Sequence, residues 1–282
     1  MSNSSTQPPF GTHALSPFRN KLRAASGVWR HKIRFVSSVL RQAATLGLSE
    51  PFDIEPADGF KVRLFPSNNA TDKKCFMGLE VKSTQQIDAM DNAAKHAPSE
   101  TFNFLDIGGN SGMYSIAAAR SARLAGKYFS LVAIEANPDM AERLRFNLQA
   151  SDVKNAQIVE CAVSDQEGTV HLSLAKKNLG QAMVVDSAET DVTVDVPARL
   201  LENILDEAGM TSIDFLKIDI EGHEVPALRP YLESVASDRY PKTILAEIAH
   251  DPDNQITDLL TSHGYSVSQH LGDDIIFSYQ GA

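Results

Sequence analysis

A chain of 282 residues, 43% hydrophobic and 22% charged, has room for one sizeable α/β domain with additions or for two small domains. It is too apolar to be disordered beyond its polar, Pro- and Gly-punctuated start, and no apolar run reaches the ~18 residues of a membrane span. The net charge of −10 is unevenly placed: residues 1–49 hold seven of the 26 cations and no acid, setting the other cations against all 36 acids. An acidic body behind a basic head excludes nucleic acid as the body's partner and points to a small or uncharged substrate there.

Residues 1–17 read as a disordered N-terminus, and it lacks the short apolar core of a secretory signal. From Phe18, apolar residues recur as Leu22, Ala25, Trp29, Ile33, Val36, Leu40 and Ala43, which predicts one amphipathic helix over 18–47. At ~100° per residue the apolar positions fall within roughly 80°, with Arg19, Arg23, Arg30, Arg34 and Arg41 in an arc of about 40° beside them. Lys21 and Lys32 lie on the other flank. Cations on both edges of an apolar face suit a helix in a lipid interface. The pattern is met first by packing on the chain's own body or on a dimer partner, and it also allows an Arg-rich organelle-targeting segment.

Residues 51–75 alternate short apolar runs with Pro, Gly and Asn and predict a small β lead-in; 83–97 predict a helix. The first 98 residues thus read as a basic helix and lead-in before a main domain over 99–282. There the pattern becomes regular. "TFNFLDIGG" is a strand entering a Gly turn, and "MYSIAAARSARLA" a helix. "YFSLVAIEANP" is a second strand, followed by a helix with Pro138 in its first turn. "AQIVECAVSD" is a third strand; "TVHLSLA" and "TDVTVDVPA" add β character. "RLLENILDEAG" is a helix ending at Gly209. "SIDFLKIDI" and "KTILAEIAH" are further strands, each followed by a helix, and "YSVSQHL" with "DIIFSYQ" a closing hairpin. Such alternation predicts a mostly parallel, doubly wound sheet.

Two buried-looking thiols, Cys75 and Cys161, share no motif and give no sign of an oxidising compartment.

In doubly wound sheets ligands bind beyond the carboxyl ends of the strands. Polar residues collect there: Asp106 with Gly108, Gly109, Asn110 and Gly112; Glu135 with Asn137; Asp165; Asp219 with Glu221 and His223; Glu247 with His250. "DIGGNSG" differs from the dinucleotide pattern G-x-G-x-x-G, and an acid two residues before the first glycine repels a pyrophosphate. Glu135, 29 residues after Asp106, stands where a carboxylate can accept both ribose hydroxyls. An acid–glycine loop followed one βα unit later by an acid points to adenosine without phosphates, hence to S-adenosylmethionine.

In order and spacing, "FLDIGGNSGMYSIAAA", "AIEANPDMAERLRFNL", "ECAVSDQEGTV", "LLENIL", "DFLKIDIEGHEVPAL" and "ILAEIAH" resemble the FkbM family of class I S-adenosylmethionine-dependent methyltransferases, over roughly residues 100–250. The resemblance implies a Rossmann-like sheet of seven strands in order 3-2-1-4-5-7-6, the last antiparallel. It implies O-methylation of a hydroxyl on a sugar, glycan or secondary metabolite, in the cytoplasm, with the membrane periphery open. Asp106, Gly108 and Gly112 would line the methionine end of the cofactor, within a loop that includes Gly109 and Asn110. Glu135 would hold the ribose, Asn137 cap the next helix, and Asp165 lie near the adenine. Glu202 stands where the family more often has Asp, and the basic helix lies outside the match.

An alcohol acceptor needs a base. His223 is preferred, since imidazole titrates nearest neutral pH. Asp219 would orient the acceptor or the cofactor amine, and Glu221 stands beside them. His223 could also be a solvent-facing helix-start residue or a metal ligand; Asp219 and Glu221 could serve only as helix N-terminal charges. Glu247-x-x-His250 could complete a magnesium site with Asp219, but the spacing is not diagnostic and no metal is assigned. The acceptor pocket is expected from 176–195 and the N-terminal segment. A nicotinamide-dependent oxidoreductase and a non-catalytic, membrane-associated scaffold are the alternatives.

Overall fold

A computed structural model of the chain describes residues 7–30, 32–174, 180, 182–185, 193–251 and 253–281. Helices α1 (Pro17–Arg30) and α2 (Arg34–Thr45) precede a β-hairpin, β1 (Phe52–Ala57) and β2 (Phe60–Leu64). Helices α3 (Ala70–Met77) and α4 (Leu79–His96) lead into β3 (Thr101–Ile107), α5 (Met113–Leu124), β4 (Tyr128–Ile134), α6 (Pro138–Ala150) and β5 (Ala156–Val159). A smaller region holds β6 (Ala162–Val163), β7 (Gly168–Leu174), β8 (Ala182–Val185) and β9 (Thr193–Arg199). Then come α7 (Leu201–Ala208), β10 (Phe215–Ile218), α8 (Glu224–Ser234), β11 (Thr243–Glu247), α9 (Gln255–Ser262), β12 (Tyr265–Leu271) and β13 (Asp274–Tyr279).

The main sheet has seven strands in the order β12-β13-β11-β10-β3-β4-β5. Its centre is parallel, and β13 runs antiparallel between β11 and β12. This is the expected 3-2-1-4-5-7-6 order. Strands buried on both faces need near-continuous apolar runs, and they have them. Leu105, Val132 and Leu216 face one layer with Ile204, Leu228 and Leu260. Phe104, Leu131 and Phe215 face the other with Met90, Ile116 and Leu144.

Four expectations change. The run "AQIVECAVSD" is not one strand: β5 stays on the main sheet beside β4, and β6 pairs with β9 in a separate four-stranded sheet. Cys161 and Val163 point into the main core while Ala162 joins the small sheet's cluster, so the chain changes sheets without losing burial. The lead-in is not a separate unit either. Phe52, Phe60 and Val62 share a core with Phe102 and Phe104, and Asn147 and Ser151 of α6 accept hydrogen bonds from the Arg63 and Lys61 amides.

Residues 7–16, expected to be disordered, are held by a buried ion pair. Asp53 bonds Arg63 at 2.8 Å and accepts from the Gly11 and His13 amides, and Arg63 donates to Pro8 O and Pro9 O. Residues 1–6 lie outside the described residues. Finally, the single helix over 18–47 is a helical hairpin. Lys32 N and Ile33 N both donate to Trp29 O, and Ile33 is extended. The legs close through Ser37 Oγ donating to Ser26 O (2.7 Å) and Arg19 donating to Ala44 O and Leu46 O. Gly27 and Ser26, both buried, leave room for that approach. Both cysteines are buried and unbridged.

Candidate active site

Strand order reverses between β3 and β10, and a cleft opens at their carboxyl ends. It is lined by Gly108, Asn110 and Tyr114 after β3, Glu135 and Ala136 after β4, and Asp219, Ile220, Glu221 and His223 after β10. Ala162, Val163, Leu172, Ala182 and Val184 give it an apolar side; Ala70, Thr71 and Lys74 of α3 close it from the N-terminal region.

The loop after β3 is shaped by what it must avoid. Gly108 has φ +78°, and a Cβ there would lie 2.1 Å from Asp219 O, so no side chain fits. Its amide and that of Gly109 both donate to Ile134 O, drawing the loop against β4. Gly112, at φ +89°, starts α5 where a Cβ would meet Leu144 at 2.8 Å. Asn110 takes a positive φ of 50°, and its Oδ1 accepts from Asn69 Nδ2 at 2.7 Å. Asn69 is the N-cap of α3, which explains how the lead-in reaches the cleft.

Glu135 is 7% exposed and anchored at both oxygens: Oε2 accepts from Asn110 N (2.6 Å) and Oε1 from Asn137 N (2.8 Å). Burial raises its pKa, against the pull of these two amides and Lys217. Each carboxylate oxygen keeps a further lone pair, so the group can accept from two hydroxyls while holding its place. The bare Gly108 loop, the anchored Glu135 and the apolar side wall fit an adenosine cofactor: loop for the amino-acid end, carboxylate for the ribose, wall for the base. Asn137 caps α6 through Asp139 N.

Beneath the loop, Lys217 is buried among carboxylates. Its Nζ donates to Gly108 O at 2.7 Å and lies 3.7 Å from Asp106 and 3.6 Å from Asp219. Burial works to lower its pKa, but Asp219, Asp106, Glu135 and Glu247 outweigh burial and hold it above the ordinary lysine value. Asp106 is fully buried, takes a 2.5 Å hydrogen bond from Ser115 and sits behind the loop rather than on the cleft wall. Lys217 therefore ties the loop to the β10 end.

The turn after β10 presents three groups. Glu224 Oε1 accepts from Ile220 N and Gly222 N, fixing the turn, and Glu221 takes a positive φ of 55°. His223 begins α8 with Nε2 3.2 Å from Ser164 Oγ, which in turn donates to Asp165. The direction of the His223–Ser164 bond depends on the tautomer: where the serine hydrogen goes to Asp165, Nε2 carries the imidazole proton and Nδ1 keeps its lone pair. Burial lowers the His223 pKa, with Asp165 pulling the other way, so the ring is neutral at pH 7. Glu247 at the end of β11 is pushed up to about 9 by burial and by Asp219, with which it shares a hydrogen bond. It is therefore protonated at neutral pH.

Ligand atoms of Glu221, Glu247 and His250 lie within 4.8 Å of one another, a spacing a divalent cation can bridge. Here Glu221 and His250 pair directly at 2.9 Å. The grouping contains Glu221 rather than the Asp219 that sequence spacing suggested.

The structure thus brings Gly108, Asn110, Glu135, Asp219, Glu221 and His223 to one cleft, and places Asp106, Gly109, Gly112 and Asn137 behind its wall. Asp165 is exposed and reaches the site only through Ser164. Sequence reasoning missed the α3 residues and Tyr114, and it gave Ser164, which stands at a strand end beside Asp165, no role. Glu247 carried a signal, a carboxylate closing an apolar strand. Part of the expected acceptor wall, 176–179, 181 and 186–192, lies outside the described residues.

Sheet order, cleft position and the loop–carboxylate pair define a class I methyltransferase fold. Residues 106–267 match the methyltransferase FkbM domain. The chain belongs to that family, and S-adenosylmethionine is its expected cofactor. Among curated proteins, no sequence matches. Similar solved structures include the FkbM methyltransferase of Methylobacillus flagellatus KT, at 15% identity and TM-score 0.47, covering 93% of this chain and 58% of that one. This chain therefore spans a little over half the length of that relative. An S-adenosylmethionine-dependent methyltransferase of Agrobacterium tumefaciens is similar at 12% identity and TM-score 0.47, covering 83% of this chain and 71% of that one. The O-methyltransferase of Bacillus cereus, in complex with S-adenosylhomocysteine, is similar at 16% identity and TM-score 0.41, covering 69% and 80%.

Proposed function

We propose that this protein is an S-adenosylmethionine-dependent O-methyltransferase acting on a hydroxyl of a sugar, glycan or secondary metabolite, with His223 as the base. The bound cofactor supplies an already activated sulfonium methyl. The chain's own task is therefore to hold an acceptor oxygen in line with it and to take up the acceptor's proton. The observation that carries the reading is the state of His223. It lines the cleft, burial lowers its pKa and so favours the neutral ring that can take up a proton, and Ser164 holds it in place through Nε2. Asp219, beside Lys217 and Glu247, is the carboxylate placed to accept from the cofactor amine or the acceptor hydroxyl. Glu221 is kept from the base role by its pair with His250.

Cofactor and acceptor can be tested apart. S-adenosylhomocysteine should bind in calorimetric titration, and Glu135→Ala should lose that binding while keeping its circular dichroism. Labelled methyl transfer across a panel of sugars and hydroxylated metabolites should then give an ether product that fades in His223→Asn. A product methylated on nitrogen, or transfer undiminished in His223→Asn, overturns the O-methyl reading without touching cofactor binding.

A further inference from the structure

The α1–α2 hairpin packs on the body with the wrong side chains for an ordinary amphipathic pair. Its buried positions are Arg23, Ser26, Gly27, Ser37 and Ala44. Arg23, 5% exposed, donates to Phe76 O at 2.8 Å and to Asn20, so even the inward cation is consumed by the body. The large apolar residues point out instead. Of the twelve exposed large hydrophobic side chains among the described residues, eight lie in this region: Phe18, Val28, Trp29, Ile33, Phe35, Val39, Leu46 and Leu48. Lys21, Lys32 and Arg34 are exposed beside them, and residues 1–49 contain no acid to neutralise any of these cations. Lys32 Nζ lies over the Trp29 ring at 5.8 Å.

We propose that this hairpin docks the protein in the plane of an anionic lipid surface, a property separate from methyl transfer. Three observations select that occupant. A second copy docking hairpin to hairpin would set cation against cation. A second copy docking hairpin to body would meet complementary charge but little apolar surface, since the remaining exposed hydrophobics, Leu124, Tyr128, Met183 and Val267, are spread over α5, β4, β8 and β12. An anionic bilayer offers both at once: negative headgroups for the lysines and arginines, and hydrocarbon for Phe, Val, Leu and Trp side chains that sink below them. No described helix is long and apolar enough to cross a membrane, so the contact lies in the interface. The acidic body would be repelled by the same surface, which leaves the hairpin as the touching face.

The chain's single tryptophan, Trp29, sits in the proposed contact and reports on it directly. Full-length protein is mixed with phosphatidylcholine vesicles with or without phosphatidylglycerol, and both flotation and tryptophan emission are followed. The expected result is flotation and a blue shift with the anionic vesicles only, weakened by salt. Phe35→Ser with Val39→Ser, both exposed and so harmless to folding, should remove the blue shift. Lys32→Ala with Arg34→Ala should weaken binding by about 25-fold, at roughly fivefold per cation near the surface. Absence of binding to either vesicle, equal binding to both, or binding unchanged in both double variants overturns the proposal. Concentration-dependent dimerisation without vesicle binding overturns it too, and assigns the face to a second copy.

Discussion

The strand-end cleft and the N-terminal hairpin break the usual partition of side chains in opposite ways. In the cleft, charged groups are buried: Asp106, Glu135, Lys217 and Glu224 are each under 9% exposed. Every one is answered inside the chain, Lys217 and Asp106 by their pairing and Glu135 and Glu224 by backbone amides. In the hairpin, apolar groups are exposed and most cations have no acid nearby in sequence. A buried charge must be compensated before the chain can fold, whereas an exposed apolar face can await a partner. The first arrangement is thus self-contained and suits a site that holds a small molecule; the second is incomplete and suits a docking face.

That contrast can be broken at the cleft, and the largest effect is expected at His223. His223→Asn should lower the rate of methyl transfer by about 10²- to 10⁴-fold while leaving S-adenosylhomocysteine affinity unchanged, as measured by turnover and calorimetry together. The pH profile sharpens the same point. Because burial sets the folded pKa below the ordinary 6.5, the unfolded chain binds the proton more readily. The wild-type rate should therefore hold from pH 8 down to 6.5 and decline only below, and the contribution of His223 to stability, read as the difference between wild type and His223→Asn, should also fall on acidification below 6.5.

Lys217→Met should cost about 3–5 kcal/mol in urea unfolding, because it leaves Asp106 buried without its counter-charge. Adding Asp106→Asn should recover part of that loss; no recovery would mean that Lys217 acts by gripping Gly108 O rather than by neutralising Asp106. Glu135→Ala should weaken S-adenosylhomocysteine by about 100-fold, the loss of two hydrogen bonds to a charged acceptor. Glu247 offers a test by pH alone. Its folded pKa of about 9 lies above the unfolded 4.5, so its contribution to stability is complete below 4.5 and lost as pH rises through 9. The melting temperature should therefore fall between pH 5 and 9 in the wild type, and less so in Glu247→Gln.

Much of the main sheet was legible because two-face burial writes itself as unbroken apolar runs, and because "DIGGNSG" needs glycine where backbone meets backbone. Glu135 was legible by its place, one βα unit after the loop. Ser164 was visible at a strand end but its role was not, since a serine beside an aspartate looks like any other until β6 brings it to His223. The α3 wall was not legible either: Asn69 reads as an N-cap, and only packing shows it reaching Asn110.

The hairpin marks the same boundary. Periodicity identified helical residues with an apolar face and a basic flank, but not the break at Lys32 and Ile33 or the direction of that face. Helical period is local, set by spacing along the chain, whereas orientation depends on which face the body accepts. The body accepts Arg23 because Phe76 O takes its hydrogen bond, while Ser26, Gly27 and Ser37 are taken up by the close approach of the two legs. By itself the sequence determined the strands, the glycine loop and the acidic residues at the strand ends. Only the tertiary structure decided which of those acids share Lys217, that Ser164 holds His223 through Nε2, and which way the N-terminal apolar face is turned, because each rests on contacts between residues far apart in the chain.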